Sequence, residues 1–279
     1  MSFNKLKCPF CSSLKIKKNG KAHNTQRYFC NSCRKSFTST TNTFFYSSKK
    51  PISVWYKFIE YMIHDETLEA IQDYIHISSR TAYMWRLKFY KCFSKYTENI
   101  VLQGVVWIDE AYVSVSPDNI IRINNKKLRG ISINQIAVAC AVDNQGHSYA
   151  KVAGRGHLSA AKVIDAYGDH IKPGSNLIHD GFRGHEELIR YLNLNETFTK
   201  STTKESKKLL QPVNSFIAQI KRNIFLHVGG KKDYLQDYLN WVCYKRTLKG
   251  INIKQKVKKV YQFCIDSQVD FMVKDRYDA

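Results

Sequence analysis

The first fifty residues contain no aspartate or glutamate, although they carry eleven lysines and arginines. A segment without a single negative charge repels basic partners and attracts polyanions. Long apolar runs are missing as well: none approaches the ~20 residues that span a bilayer. The opening MSFNKLKCPF lacks the apolar stretch of a signal peptide, so a cytoplasmic protein is expected. No internal repeat or long low-complexity tract interrupts the chain, and at 43% hydrophobic content it can build a core. Without a secretion signal, the eight cysteines read as thiols and metal ligands rather than disulfides.

What is present is positive charge. Over 279 residues the formal net charge is +21, which points to nucleic acid as the partner. The charge is uneven. Residues 51–103 carry six residues of each sign, 104–195 carry ten basic and nine acidic, and 196–279 carry seventeen basic and eight acidic. The ends are cationic, and the carboxylate-rich middle is nearly neutral.

Cys8, Cys11, Cys30 and Cys33 form two C-x2-C pairs, the spacing of a four-thiolate zinc ribbon over residues 1–40. A redox C-x-x-C or unligated thiols are the alternatives. A module so small needs the metal for stability. Lys15, Lys17, Lys18, Lys21, Arg27, Arg34 and Lys35 surround the pairs, interleaved with Tyr28, Phe29 and Phe37, a composition suited to phosphate contact. The Ser/Thr/Asn-rich stretch from Phe37 to Pro51 reads as a linker or irregular arm.

Over residues 51–100, apolar spacing predicts three helices. Trp55, Phe58, Ile59 and Met62 mark the first, with Ser53 as its cap. Thr67 caps the second, whose inner face is Leu68, Ile71 and Ile75, and a short turn leads to a third with Tyr83, Leu87 and Tyr90 inward. This is a helix-turn-helix pattern, although any three-helix bundle would share it. In the DNA-binding reading Ser79, Arg80 and Thr81 open the recognition helix, and Arg86 and Lys88 reach phosphates.

From residue 104 to about 250 the pattern becomes α/β. GVVWID and NLIHDG are short apolar runs ending in Asp109 and Asp180, and carboxylates at the ends of neighbouring strands can share divalent cations. Either aspartate alone reads equally as a turn or cap residue. Alternation turns Glu110 away from Asp109. In PVNSFIAQIKRNIFLH, Val213, Phe216, Ile217, Ile220 and Ile224 form a buried stripe, flanked on one side by Asn214 and Lys221, almost two turns apart. Arg222, Lys231, Lys232, Lys245 and Arg246 add basic charge for a DNA backbone, and residues 251–279 read as a helical extension. Helices in KKDYLQDYLNWVCYKR and NIKQKVKKVYQFC are expected to pack over the sheet. Cys92, Cys140, Cys243 and Cys264 read as core residues.

Taken together, CPFC, YFCNSC, VVWIDEAYV, LRGISINQIAVACAVD, NLIHDGFRGH and VNSFIAQIKR with KKDYLQDYLNWVCYKR resemble the bacterial insertion-sequence transposases of family fifteen-ninety-five, in the RNase H-like DDE superfamily. The resemblance implies a zinc ribbon, a helix-turn-helix and an RNase H-like mixed sheet flanked by helices. It makes Asp109 and Asp180 the first two catalytic acids and Lys221 the basic residue seven positions after the third. Asn214 stands at that third position, where Glu is general in the superfamily, and Glu205 is the substitute ligand. It further implies Mg²⁺ or Mn²⁺ held by Asp109, Asp180 and Asn214, cleavage and strand transfer at the element's terminal inverted repeats, target DNA as a second partner, a homodimer or higher oligomer, and a nucleoid-associated protein. Arg222 joins Lys221 on the DNA. The alternative is an inert, domesticated DNA-binding regulator.

Overall fold

The computed structural model describes residues 6–22, 25–46, 48–114, 120–198, 208–227 and 234–267. Each C-x2-C pair folds into the same tight turn. The Ser12 amide donates to the Cys8 carbonyl at 2.8 Å and the Arg34 amide to the Cys30 carbonyl at 2.9 Å, and Ser12 and Arg34 both take φ 57°. Between the turns run β1 (Ile16–Ala22) and β2 (Thr25–Cys30), followed by β3 (Ser36–Thr38), in a three-stranded antiparallel sheet.

Three helices follow: α1 (Ile52–Ile63), α2 (Leu68–Ile75) and α3 (Ser79–Lys91). Thr67 caps α2 by accepting from the Ala70 amide, and Ser78 caps α3 by accepting from Thr81. The first helix starts at Pro51, without a side-chain cap, rather than at Ser53; proline's fixed φ suits a helix entrance. The inner stripe of α3 also differs from expectation. Ala82, Trp85 and Phe89 join Leu87 and Tyr90 inside, while Tyr83 is half-buried, because Trp85 stacks on Trp55 with ring centroids 3.5 Å apart. The stretch expected as a linker supplies Phe44 and Phe45, both buried against Trp55.

The second unit, Phe93–Ile251, is built on β4 (Val105–Ser114), which leads through a small hairpin, β5 (Arg122–Ile123) and β6 (Lys126–Lys127), to β7 (Gln135–Asp143) and β8 (Ser148–Arg155). Asn134 clamps the hairpin, accepting from the Ile121 amide and donating to its carbonyl, both at 2.8 Å. Then come α4 (Ala160–Tyr167), β9 (Asn176–His179), α5 (Glu186–Leu192), β10 (Asn195–Phe198), α6 (Gln211–His227) and α7 (Leu235–Arg246). The sheet order is β10-β9-β4-β7-β8, with β7 antiparallel to β4 and β8 and with β9 parallel to β4 and β10. Three antiparallel strands in succession, then two parallel ones on the far side of the first, is RNase H-like topology.

Alternation gives this sheet two different faces. On one, Val106 and Ile108 of β4, the alanines Ala137, Ala139 and Ala141 of β7, and Leu177 of β9 pack against Val163, Ala166 and Tyr167 of α4 and Leu188 and Leu192 of α5. The small alanines let the helices approach. On the other lies α6, packed on β4 and β7, with Val213, Phe216, Ile217, Ile220 and Ile224 buried as the spacing predicts. Helix α7 docks on β8, where Gln236 accepts from the Val152 amide at 2.8 Å and donates to the Ala150 carbonyl at 3.0 Å.

The last described helix, α8 (Ile253–Asp266), belongs to the compact unit formed by residues up to Cys92, not to the sheet. Tyr261 stacks on Tyr56 and lies against Phe45. The contact of α8 with the half-buried Tyr56 of α1 is a pairing that sequence spacing does not reveal.

Candidate active site

Asp109 sits mid-way along β4, in the set of alternate residues with Trp107. The Trp107 indole donates to the Leu209 carbonyl at 3.0 Å, just before α6 begins. Asp109 therefore faces the α6 side of the sheet. Asp180 follows β9 directly, with a carboxylate oxygen within 4.8 Å of ring nitrogens of His179 and His185. The parallel register pairs Val105 with Asn176 and Trp107 with Ile178 and ends there, and Asp180 is near enough to Asp109 for its charge to be felt.

Burial and the carboxylates of Glu110 and Asp180 push Asp109 up to about 6, opposed by the Glu110 amide, which donates to Asp109 at 2.7 Å, and by His185. The same negative cluster, added to burial, pushes the Tyr112 phenol up to about 12. Buried, hard oxygen ligands crowded by like charge are what a divalent cation relieves, so the donor set fits Mg²⁺ or Mn²⁺. Asp180 is further fixed by accepting from the Phe182 amide at 2.9 Å. On α6, Asn214, Lys221 and Arg222 are exposed beside its buried stripe. Glu205, Lys231 and Lys232 lie outside the described residues.

The four sulfurs of Cys8, Cys11, Cys30 and Cys33 lie within 4.8 Å of one another, with Cys8 to Cys33 at 3.6 Å and Cys11 to Cys30 at 3.5 Å. Hydrogen bonds from the Cys33 and Ser32 backbone help lower the Cys30 thiol to about 6. A tetrahedral thiolate set of this kind fits zinc. Cys92, Cys140, Cys243 and Cys264 are buried, as expected of core residues.

Lys17, Lys18, Arg27 and Arg34 are exposed around the ribbon, and Ser79 and Arg80 at the start of α3 are exposed with Thr81 half-buried. Arg86 is a correction. It is 1% exposed and donates to the Glu66 carbonyl at 2.8 Å, so it ties α3 to the α1–α2 turn instead of meeting phosphates.

Sequence reasoning missed a set of histidines. His185 Nε2 lies 3.0 Å from Glu110 Oε1, His185 Nδ1 lies 3.0 Å from His179 Nδ1, and His179 Nε2 lies 3.0 Å from Glu196 Oε1. The available signal was His179 next to Asp180 with a second histidine six residues on.

The ISXO2-like transposase domain matches residues 101–247, more than half of the chain. The protein belongs to this transposase family. The match spans the sheet, α6 and α7. No curated protein matches the chain. Among solved structures, the Mos1 strand transfer complex is 11% identical, with 81% of this chain and 82% of that one covered and a TM-score of 0.35. The Mos1 mariner paired-end complex with Mn is 13% identical, covering 74% and 75% at a TM-score of 0.31. A chain of the simian T-cell lymphotropic virus intasome in complex with PP2A regulatory subunit B56 gamma is 11% identical at a TM-score of 0.36; 55% of this family member is covered, and it spans only 51% of that chain.

Proposed function

We propose that this transposase-family protein recognises the ends of its own insertion sequence and cuts and joins DNA at Asp109 and Asp180. The observation that carries the reading is that Asp109 of β4 and Asp180, which follows the neighbouring parallel strand β9, are near enough for the charge of Asp180 to raise Asp109. Asp109 and Asp180 hold Mg²⁺ or Mn²⁺, with the Asn214 amide oxygen as third ligand. When bound, the ions supply activation of water or a DNA 3′-hydroxyl and neutralise charge on the leaving oxygen. Lys221, two turns along the same flank, grips the phosphate backbone next to the scissile bond, and Arg222 extends that grip.

The ribbon lysines and arginines contact phosphates, while Ser79, Arg80 and Thr81 meet base edges. Pairing two element ends requires a dimer or higher oligomer, and the substrate places the protein on the nucleoid in the cytoplasm. Four regions divide the work: the zinc ribbon (1–40), the helix-turn-helix (51–100), the catalytic region (104–250) and the helical extension (251–279).

Asn214 favours a second reading, an inert regulator, because an amide carries no charge against the cations. Mobility of a marked element bearing the gene's own flanks separates them. Movement with wild type and none with Asp109→Ala establishes the transposase. Specific end binding with no movement from wild type establishes the regulator.

A further inference from the structure

The reaction proposed above uses Asp109 and Asp180. Next to them, Glu110, His185, His179 and Glu196 form one hydrogen-bonded line. The side chains of Glu110, His185 and His179 are 5%, 0% and 1% exposed, and Glu196 reaches the surface at 39%. The proton positions follow from the partners. The Gly181 amide donates to His179 Nδ1 at 3.2 Å, so that nitrogen carries a lone pair and Nε2 donates to Glu196. His185 Nδ1 then donates to His179 Nδ1, and a further proton lies between His185 Nε2 and Glu110 Oε1.

Two members adjoin the reacting pair in sequence: Glu110 follows Asp109 and His179 precedes Asp180. The β4–β9 backbone ladder stops at Trp107 and Ile178, before either aspartate is reached. Past that point, among the described residues, His185 joins the two strands: it bonds Glu110 of β4 on one side and His179 of β9 on the other. Phe182, which packs against the apolar core of the sheet, lies edge-on to His185 at 5.2 Å. Burying such groups costs several kcal/mol, and apolar replacements of similar volume are often as stable. Stability alone does not account for them.

We propose that Glu110, His185 and His179 are positioning residues that replace the missing ladder and set the spacing of Asp109 and Asp180 for cation binding. This rests on the reading of the aspartates as cation ligands. Outer partners of ligand residues typically contribute about 10–100-fold to metal affinity or activity; here the effect passes through the backbone of two strand ends.

The test uses the full, zinc-loaded chain, with Mn²⁺ binding followed by electron paramagnetic resonance alongside Mg²⁺-dependent cleavage of end DNA. The variants are Asp109→Asn, His185→Asn, Glu110→Gln and the pair Glu110→Leu with His185→Phe. His185→Asn keeps a donor near Nδ1 and loses Glu110, and Glu110→Gln keeps a neutral hydrogen bond. The apolar pair is expected to melt no lower than wild type, bind end DNA equally, and need about 10-fold more Mn²⁺ and Mg²⁺. Glu110→Gln should fall in between. An unchanged cation requirement in the folded apolar pair overturns the proposal. So does loss of a whole bound ion in His185→Asn, because His179, Asp180 and His185 lie close enough to ligate one themselves, and they would then be ligands rather than positioners. If wild type binds no Mn²⁺ that Asp109→Asn removes, the ligand reading fails as well, a result distinct from the first two.

Discussion

Asp109 shows how one residue can weaken the fold that presents it. Its carboxyl is raised to about 6, chiefly by burial, above an unfolded value near 3.9. Between those values the folded state holds more protons than the unfolded one, so stability falls as pH rises through this window. In metal-free protein, Asp109→Asn should therefore stabilise the fold at pH 7.5 by roughly 1–3 kcal/mol, seen as a higher melting temperature, and should have little effect at pH 3.5. Thermal scans in chelator at the two pH values measure this. An equal effect at both would show that charge is not the cause. Added Mn²⁺ should stabilise wild type and leave Asp109→Asn unmoved. Asn214 calls for the opposite substitution: Asn214→Glu should keep or raise cleavage and Asn214→Ala should lower it. Equal rates in all three would remove Asn214 from the site.

At the scale of elements, the ribbon depends on its metal and the helical bundle on its aromatics. Chelation of zinc, or Cys30→Ser, should abolish the ribbon's ordered amide signals and end-DNA binding while leaving the unfolding transition of the sheet unit in place. Phe44 is 1% exposed and touches Phe45, Trp55, Phe58 and Phe89. Phe44→Ala should cost about 3–5 kcal/mol, read by tryptophan fluorescence during denaturation. These elements also mark how far the sequence could be read. Periodicity and cysteine spacing are local, and they located the ribbon, the buried strands and the α6 stripe; Asp109, read as the end of a strand, lies mid-way along β4. Long-range partners are not local. Nothing near Arg86 signals the Glu66 carbonyl that draws it inward, and nothing near Glu110 signals a histidine 75 residues later. Phe44 and Phe45 looked like part of a polar arm because composition averages over the two residues that matter.

For the whole molecule, charge sets the binding regime. With +21 net charge and exposed cations that include Lys17, Lys18, Arg27 and Arg34 of the ribbon and Lys221 and Arg222 of α6, end binding should weaken steeply with salt. The logarithmic slope should fall by about 0.9 for each phosphate contact removed. Lys17→Ala with Lys18→Ala should reduce that slope with little change in sequence preference, whereas Arg80→Ala should relax preference at one or two base pairs. Competition binding across a salt series checks both, and a slope unchanged by the lysine pair would place the phosphates elsewhere.

The return of α8 to the bundle has a consequence for the order in which the protein matures on the ribosome. Phe45 and Tyr56 emerge early, but the Tyr261 that packs against them is synthesised more than two hundred residues later, after the entire sheet unit. The sheet unit can thus finish folding while the helical bundle is still open on one side. A chain halted before residue 252 would carry a complete sheet and, in its other unit, an uncovered aromatic face. Such a product should be captured by chaperones or proteases, so translation itself holds back a sheet unit whose bundle is not closed.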